Sequence, residues 1–252
     1  MRLKFKASSR VLKRAAAITA SRSKIALAAI LTLLVFWEAA SAETFISRYV
    51  VSLDGVRAGG ATLRTNLDAS RYKVELSADV GMLLILTHLE GRASGALSGA
   101  KLAPEHFQIV MSGTDEDSIE FDFATTAEAA ADGAVRLRGV VDPLSALLAA
   151  SFKPSDGHPC NTVLPIFTGR DRFDLNLRPK PAGSSTAEPA LVRCQAALTQ
   201  PLARVTAQQD LGWEITFTKS AKSNFWLVDR VAIPSRQGLI TISRTETSIS
   251  AP

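Results

Sequence analysis

Apolar and polar residues alternate with a period of two over most of the chain from Phe45 onward, which predicts antiparallel strands rather than helices. The alternation is clearest over 72–80 and predicts a strand there with one buried and one solvated face. Asp54-Gly55 predicts a tight hairpin turn ahead of that strand, because both central residues of a primed turn adopt positive φ. Further turn signals divide the chain into roughly ten strands. A sheet of that size curls, so the predicted fold is a long curved antiparallel sheet, half-barrel or barrel-like.

Two neighbouring segments interrupt this alternation. Five apolar residues follow one another over 82–86, a run that fits a strand buried on both faces, a short helix or the apolar lining of a ligand site. Gly91, Gly95 and Gly99 come next, and their spacing predicts a glycine-rich return of the chain.

One short helix is predicted from its start signals. The Asp142 side chain can cap the N–H groups of a first turn, and Pro143 occupies the first helical position, where its missing N–H costs nothing. These signals predict a helix over about 143–152 whose leucines form an apolar stripe: Leu144, Leu147 and Leu148. We expect this helix to fill the concave side of the sheet.

The amino-terminal segment has the pattern of a secretory signal. The first 24 residues contain eight Lys or Arg and no acidic residue, and an apolar run interrupted only by Thr32 follows over 25–37. The small residues at 40–42 supply a cleavage site, so we expect a signal peptide over 1–42 that is cleaved after Ala42. An uncleaved anchor is the weaker alternative, because a membrane-spanning helix needs about 20 apolar residues.

Cleavage would leave a single β-rich domain over 43–252 and would change the charge of the protein. It removes eight basic residues and Glu38, which leaves 21 of the 29 basic residues and 23 of the 24 acidic ones. The exported domain then has no net positive field to attract phosphates, so nucleic acid is excluded as an expected partner. We predict a periplasmic protein that contacts the membrane only through its signal segment before cleavage.

The two cysteines of the chain are Cys160 and Cys194. In an exported protein they are most simply explained by one disulfide, since the periplasm oxidises thiol pairs. That bond would close a loop of 35 residues, which is worth roughly 3–4 kcal/mol on the chain-entropy model. A catalytic thiol would need a C-x-x-C spacing or a partner histidine, and neither is apparent in the sequence.

Charge of both signs is concentrated at the tip of a predicted hairpin. Alternation places Arg170, Arg172 and Asp174 on one face of its strands. Two guanidiniums there could hold a carboxylate or phosphate, with Asp174 orienting one of them, and Phe167 completes this set of candidate binding residues. A solvated turn explains the same cluster and is the interpretation we favour.

The sequence shows no motif for catalysis or metal binding. Its histidines, His88, His106 and His158, lie in no spacing that places two ligands on one metal. No G-x-S-x-G elbow occurs, and the acidic turn at 115–117 lacks the ligand spacing of an EF-hand. We therefore expect neither an enzyme nor a metal or cofactor site.

The segment over 142–194 carries a further signal. Its order is a D-P-L-S-A-L helix start, Cys160, the hairpin L-P-I-F-T-G-R-D-R-F-D and Cys194. This order resembles the bacterial envelope family known as domain of unknown function 3108, over about 45–247 of the chain. The family usually has an aspartate before the glycine of the hairpin, whereas this chain has Thr168. The resemblance implies an envelope location, and the family has no established activity to carry over.

These observations support three hypotheses of function. The first is a non-catalytic periplasmic protein that binds an apolar or amphipathic, lipid-like envelope component inside its curved sheet. The predicted architecture is similar to bacterial lipoprotein-carrier folds, which enclose an apolar cavity. The second is an interaction protein that docks onto an envelope protein through the hairpin 167–174. The third, an enzyme, would need a histidine and a carboxylate brought together in a cleft.

Overall fold

The computed structural model describes residues 43–82, 85–113, 116–125, 137, 139–151, 157–180, 191–199, 208–220 and 225–250. The predicted signal peptide over 1–42 lies outside the described residues. Within the described part, no helix is both long enough and apolar enough to cross a membrane.

The regular structure of the described residues is almost entirely β. It consists of the helix α1 (Pro143–Ser151), a helical stretch at 123–125 that follows β6, and the strands β1 (Glu43–Leu53), β2 (Val56–Leu67), β3 (Arg71–Met82), β4 (Ile85–Ser98), β5 (Lys101–Ser112), β6 (Asp117–Asp122), β7 (Thr162–Phe167), β8 (Arg172–Pro179), β9 (Leu191–Thr199), β10 (Gln208–Lys219), β11 (Trp226–Ser235) and β12 (Gly238–Ser250). The predicted mainly β fold is confirmed, and α1 ends within one residue of the position expected from the sequence.

The strands form one antiparallel sheet in the order β6-β5-β4-β3-β2-β1-β12-β11-β10-β9-β8-β7. Neighbours along the chain are therefore neighbours in the sheet wherever a hairpin joins them, and β12 returns to pair with β1. The predicted turn between β1 and β2 has φ of 48° at Asp54 and 83° at Gly55, as a primed hairpin requires. Strands β6 and β7 stand at the two ends of this order, so backbone hydrogen bonds leave the sheet open.

The sheet wraps around α1. The helix contacts β3, β4 and β5 towards one end of the strand order and β7 and β11 towards the other. The two ends also meet directly, because Arg170 in the turn between β7 and β8 pairs with Asp117 of β6. Phe167 of β7 packs on Phe121 of β6 beside this pair. Side-chain contacts thus close a barrel-like shape, with the helix on the concave side as predicted.

Two apolar clusters lie on opposite sides of α1. The first, formed with β1–β5, receives the helix residues Leu144 and Leu148. The second, formed with β7–β11, receives Ala146 and Ala150. The helix therefore presents large side chains to the amino-terminal half of the sheet and small ones to the carboxy-terminal half.

The predicted glycine-rich return is wrong, because β4 runs without interruption from Ile85 to Ser98. A Cβ at Gly91 would stand 3.0 Å from Cδ1 of Leu144, and a Cβ at Gly95 would stand 2.9 Å from the ring of Tyr72. Gly91 therefore makes room for α1, and Gly95 makes room for the Tyr72 ring and for the backbone of β5, whose Ala103 carbonyl oxygen would clash with a Cβ. Only the third glycine of that run, at position 99, has the positive φ of a turn residue, at 59°.

The apolar run over 82–86 does not form a strand that is buried on both faces, which was the simplest of its three interpretations. Strand β3 ends at Met82 and β4 begins at Ile85. Leu86 is 65% exposed, so a strand buried on both faces is wrong.

Candidate functional site

An apolar groove lies between α1 and the inner face of β1, β2, β3 and β11. It encloses about 50 Å³ and is partly open to solvent. Leu147, near the middle of α1, is half-buried and lines this groove. The other apolar side chains of the wall come from the sheet, from the residue that precedes β11 and from the neighbouring helical turns: Phe45, Leu63, Leu67, Val74, Leu144, Leu148, Phe225, Trp226, Leu227 and Val228.

Asp142 positions the helix that forms one wall of the groove. Its carboxylate accepts the Ser145 N–H at 2.8 Å and the Ser145 Oγ–H at 2.5 Å. Its carbonyl accepts the Ala146 N–H, so Asp142 has the contacts of an N-cap, and Pro143 begins the helix. Because Ser145 gives its proton to Asp142, the Tyr72 hydroxyl of β3 donates to Ser145 Oγ, at 2.8 Å.

Burial dominates the electrostatics of this network. Asp142 and Ser145 are fully buried, and burial raises the pKa of the Asp142 carboxyl even though the hydrogen bonds from Ser145 act to lower it. Burial likewise raises the pKa of the Tyr72 hydroxyl. The network therefore holds the first turn of α1 against β3 through buried polar groups.

Polar groups of β1 line the groove beside its apolar wall. Tyr49 and Ser47 both face it. The Tyr49 hydroxyl donates to the carbonyl of Val228 at 3.2 Å, and Ser47 Oγ lies 3.0 Å from Thr247 Oγ1 of β12. The groove thus combines an apolar wall with a few hydroxyl groups, which is a common composition for a ligand site.

The charged hairpin between β7 and β8 contacts the chain's own β6. Arg170 Nη2 lies 3.1 and 3.4 Å from the two carboxylate oxygens of Asp117, in a largely exposed pair. The rings of Phe167 and Phe121 meet edge to face, with centroids 5.1 Å apart. The carboxylate that Arg170 binds therefore belongs to the same chain. Docking onto an envelope partner through this hairpin stays a prediction.

Thr168 supplies the polar contacts of the hairpin turn. Its Oγ1 accepts the N–H of Asp171 at 3.1 Å and that of Arg170 at 3.4 Å. An aspartate at the first position of a turn accepts the same pair of N–H groups. The departure from the family pattern at Thr168 therefore leaves the turn's hydrogen bonding intact.

The two remaining candidate residues lie on β8. Asp174 stands opposite Pro165 of β7 and Thr199 of β9, and both Asp174 and Arg172 are half-buried. Among the described residues, Asp174 Oδ1 is buried without a hydrogen-bond partner. Arg170 reaches Asp117 on β6, and the binding of a carboxylate or phosphate by Arg170 and Arg172 stays a prediction.

Cys160 and Cys194 are joined by a disulfide with Cα atoms 5.6 Å apart. Both residues are buried in the apolar cluster of the carboxy-terminal half. The bond ties the segment that precedes β7 to the middle of β9. A structural disulfide of this kind is consistent with an exported protein.

Two histidines pair with carboxylates on the outer face of the sheet. His88 Nδ1 lies 2.8 Å from Asp79, and His106 Nδ1 lies 2.8 Å from Asp122. Hydrogen bonds with Asp79 and then Glu90 raise the pKa of His88. The two imidazole side chains are 40% and 36% exposed, so histidine and carboxylate meet on open strands and not in the groove. Across the described part of the chain, no three metal-binding side chains converge on one point.

Sequence patterns did not identify Ser145 as the partner of Asp142, or Tyr72 as the partner of Ser145. The spacing of Asp142 and Ser145 does match an N-cap and the third helical residue, so that pair had a local signal. Tyr72 lies on a strand 73 positions from Ser145, and no local pattern relates the two.

Comparison with known proteins gives the family. A family model described as "Protein of unknown function (DUF3108)" matches residues 48–237. Among solved structures, the chain is similar to a "Beta-barrel-like Protein of Domain of Unknown Function DUF1849" from Brucella abortus, at 8% identity and a TM-score of 0.45, over 84% of this chain and 98% of that one. No curated protein matches the sequence. The family match covers most of the chain, and the protein therefore belongs to the DUF3108 family, whose function is unknown.

Proposed function

We propose that this chain is an exported, non-catalytic protein of the bacterial envelope that binds the apolar chain of an amphipathic envelope component. The groove between α1 and the inner face of the sheet carries the proposal. Apolar side chains of helix and sheet face a space there that they leave unfilled, beside the hydroxyls of Ser47 and Tyr49. Apolar walls with a few placed polar groups are the usual character of a small-molecule site.

The size of the groove limits the ligand. At about 50 Å³, the groove is smaller than a cavity of roughly 150 Å³ that takes benzene. It therefore suits the end of one slender alkyl chain and not a ring system or a whole lipid. Burial of such a chain gains about 0.8 kcal/mol for each CH₂ group removed from water.

The remaining features support export and binding rather than catalysis. The disulfide between Cys160 and Cys194 supports export, because such bonds persist in oxidising compartments. Burial raises the pKa of Tyr49, so this hydroxyl stays protonated at neutral pH and does not suit a general base. It is suited to hydrogen bonding with a polar group of a ligand.

The test is the state of the protein as it leaves the cell. Protein purified from the periplasm is analysed by native mass spectrometry. Any bound molecule is then extracted and its molecular mass is measured. We expect an adduct with the mass of one single-chain amphiphile, at a ratio of one per protein. Protein that carries no adduct and takes up none from a mixed envelope-lipid extract would contradict the proposal.

Two matched substitutions locate the binding. Leu147→Trp places an indole in the groove, whereas Leu239→Trp places one on a surface residue of β12 that is 40% exposed. We expect the first variant to lose the adduct and the second to keep it. Equal adduct in both variants would show that the ligand sits elsewhere.

A further inference from the structure

The strand register brings a charged residue to the inner face of the sheet. Ser47 stands opposite Thr247, and Tyr49 stands opposite Arg244 after a bulge in the pairing of β1 with β12. Opposed residues of antiparallel strands project to the same face. Because Ser47 and Tyr49 line the groove, Arg244 projects to the groove side of the sheet and not to the outside.

Arg244 is held by a short network of polar contacts. Its Nη2 donates to Asp229 Oδ1 at 2.9 Å, and its Nη1 donates to Thr247 Oγ1 at 3.2 Å. Thr247 in turn contacts Ser47, which lines the groove. The network therefore runs without a break from the guanidinium to the wall of the groove.

The arginine of this ion pair is shielded from water, and the aspartate is half-buried. The side chain of Arg244 is 14% exposed and that of Asp229 is 36% exposed. Replacing a shielded ion pair by apolar residues is often neutral or stabilising, because desolvation offsets the attraction between the charges. Stability alone therefore gives a weak reason for an arginine at this position of the inner face.

We propose that Arg244 is the binding residue for the anionic headgroup, carboxylate or phosphate, of a single-chain amphiphile whose alkyl end occupies the groove. The inference rests on the proposed function and adds the chemical class of the ligand. Each terminal nitrogen of a guanidinium carries two N–H groups, so the two contacts above leave it further donor capacity. A planar guanidinium matches the paired oxygens of a carboxylate or phosphate, and shielding from water strengthens the attraction.

Asp229 sets the strength of this site. Its carboxylate already pairs with Arg244, so an incoming anion competes with it for the same guanidinium. Neutralising Asp229 removes the competitor, whereas neutralising Arg244 removes the donor. The two substitutions therefore act in opposite directions on an anionic ligand, a pattern that a purely structural ion pair does not produce.

The experiment compares three probes of equal chain length: dodecanoic acid, dodecyl phosphate and 1-dodecanol. Each displaces a polarity-sensitive fluorophore from the mature protein at pH 7 and below its micelle concentration. We expect one or both anions to bind about tenfold more tightly than the alcohol, the difference that one charge-assisted contact supplies. The ranking of the two anions tells a carboxylate site from a phosphate site.

The variants decide the role of the arginine. In Arg244→Gln the anion should lose its tenfold advantage while the alcohol binds as before, and in Asp229→Asn the anion should bind more tightly than in the native protein. Unchanged alcohol affinity in each variant reports that the groove is still folded, and Arg244→Lys should restore part of the advantage.

Equal affinity for acid, phosphate and alcohol in the native protein overturns this inference and leaves the proposed function standing. Failure of all three probes to bind overturns the proposed function itself.

Discussion

The two halves of the sheet are held together in different ways. Strands β3, β4 and β5 are 12 to 14 residues long and pack large side chains around the leucines of α1. Strands β7, β8 and β9 are 6 to 9 residues long and pack against the alanines of the helix, and the disulfide links β9 to the segment that precedes β7. Shorter strands offer fewer backbone hydrogen bonds and less apolar contact, and a covalent link compensates for both.

This difference between the two halves explains the position of the groove. It opens between α1 and the inner face of β1–β3 and β11, at the boundary between the two halves. The alanine side of α1 allows close packing against the disulfide-linked half, which leaves the unfilled space on the leucine side. Changes that loosen one half should therefore affect stability more than they affect the groove.

Removal of the disulfide should have the largest effect. The double variant Cys160→Ala/Cys194→Ala should lose about 2–4 kcal/mol of unfolding free energy, because the bond closes a loop of 34 positions in the unfolded chain. Chemical denaturation measures the loss. Hydrogen exchange should show faster opening of β7–β9 than of β3–β5, and equal acceleration in both halves would contradict the comparison.

A side chain at the hairpin glycine should weaken the junction between the two ends of the sheet. A Cβ at Gly169 would stand 2.6 Å from Ile119 Cγ2 of β6, at a φ of 90°. Gly55 is the matched control, since its φ is 83° and a Cβ there meets nothing within 4 Å. Gly169→Ala should cost roughly 1–3 kcal/mol more than Gly55→Ala, as overpacking does. Equal losses would mean that the hairpin does not press on β6.

Loss of the buried cap should loosen the helix that divides the two halves. Asp142→Ala removes the acceptor of two hydrogen bonds from Ser145 and should cost about 0.5–2 kcal/mol. Thermal or chemical unfolding measures this cost. A Ser151→Ala variant at the other end of α1, where the hydroxyl donates to the Leu147 carbonyl of the same helix, is the control and should cost less.

The same carboxyl gives a dependence on pH with a defined sign. Burial raises the pKa of Asp142 above its ordinary value of 3.8, so the folded protein holds this proton more tightly than the unfolded chain does. Stability contributed by Asp142 is therefore greatest below pH 3.8 and falls as pH rises through the raised pKa. The stability of the native protein minus that of Asp142→Asn should fall over this window and stay level above it. A difference that rises with pH would contradict the assigned shift.

The smallest effect is expected at the exposed ion pair. Arg170 and Asp117 have side chains that are 62% and 48% exposed, so Arg170→Ala should cost roughly 0.2–1 kcal/mol and less in high salt. Double-mutant analysis with Asp117→Ala measures the pair alone. A cost above about 2 kcal/mol would show that this pair, rather than the aromatic contact beside it, closes the sheet.

Much of the strand pattern follows from the alternation of apolar and polar residues alone. The start of the helix likewise follows from Asp142 and Pro143. Other features have no local signature. Gly91 and Gly95 predict a turn as readily as a close approach, and only the tertiary positions of α1 beside Gly91 and of β5 beside Gly95 decide between them. An inward arginine on an alternating strand, such as Arg244, has the same sequence pattern as an outward one, because the bulge after Arg48 changes the register.

Local sequence patterns also do not predict that the two ends of the sheet meet. Asp117 and Arg170 are 53 positions apart in the chain, and each lies in a segment that reads as a solvated turn. Their pairing depends on the curl of the whole sheet. The candidate groove has the same origin, since its wall is assembled from four strands and a helix.

The most direct test of the groove is photolabelling with a diazirine-bearing fatty acid whose reactive carbon lies near the end of the alkyl chain. Labelled protein is digested and the modified peptides are identified by mass spectrometry. We predict modification of the segments that line the groove, 45–49, 144–151 and 225–228, and its loss when unlabelled dodecanoic acid competes. Modification confined to the exposed surface around Val56 and Leu86, or undiminished by the competitor, would contradict binding in the groove.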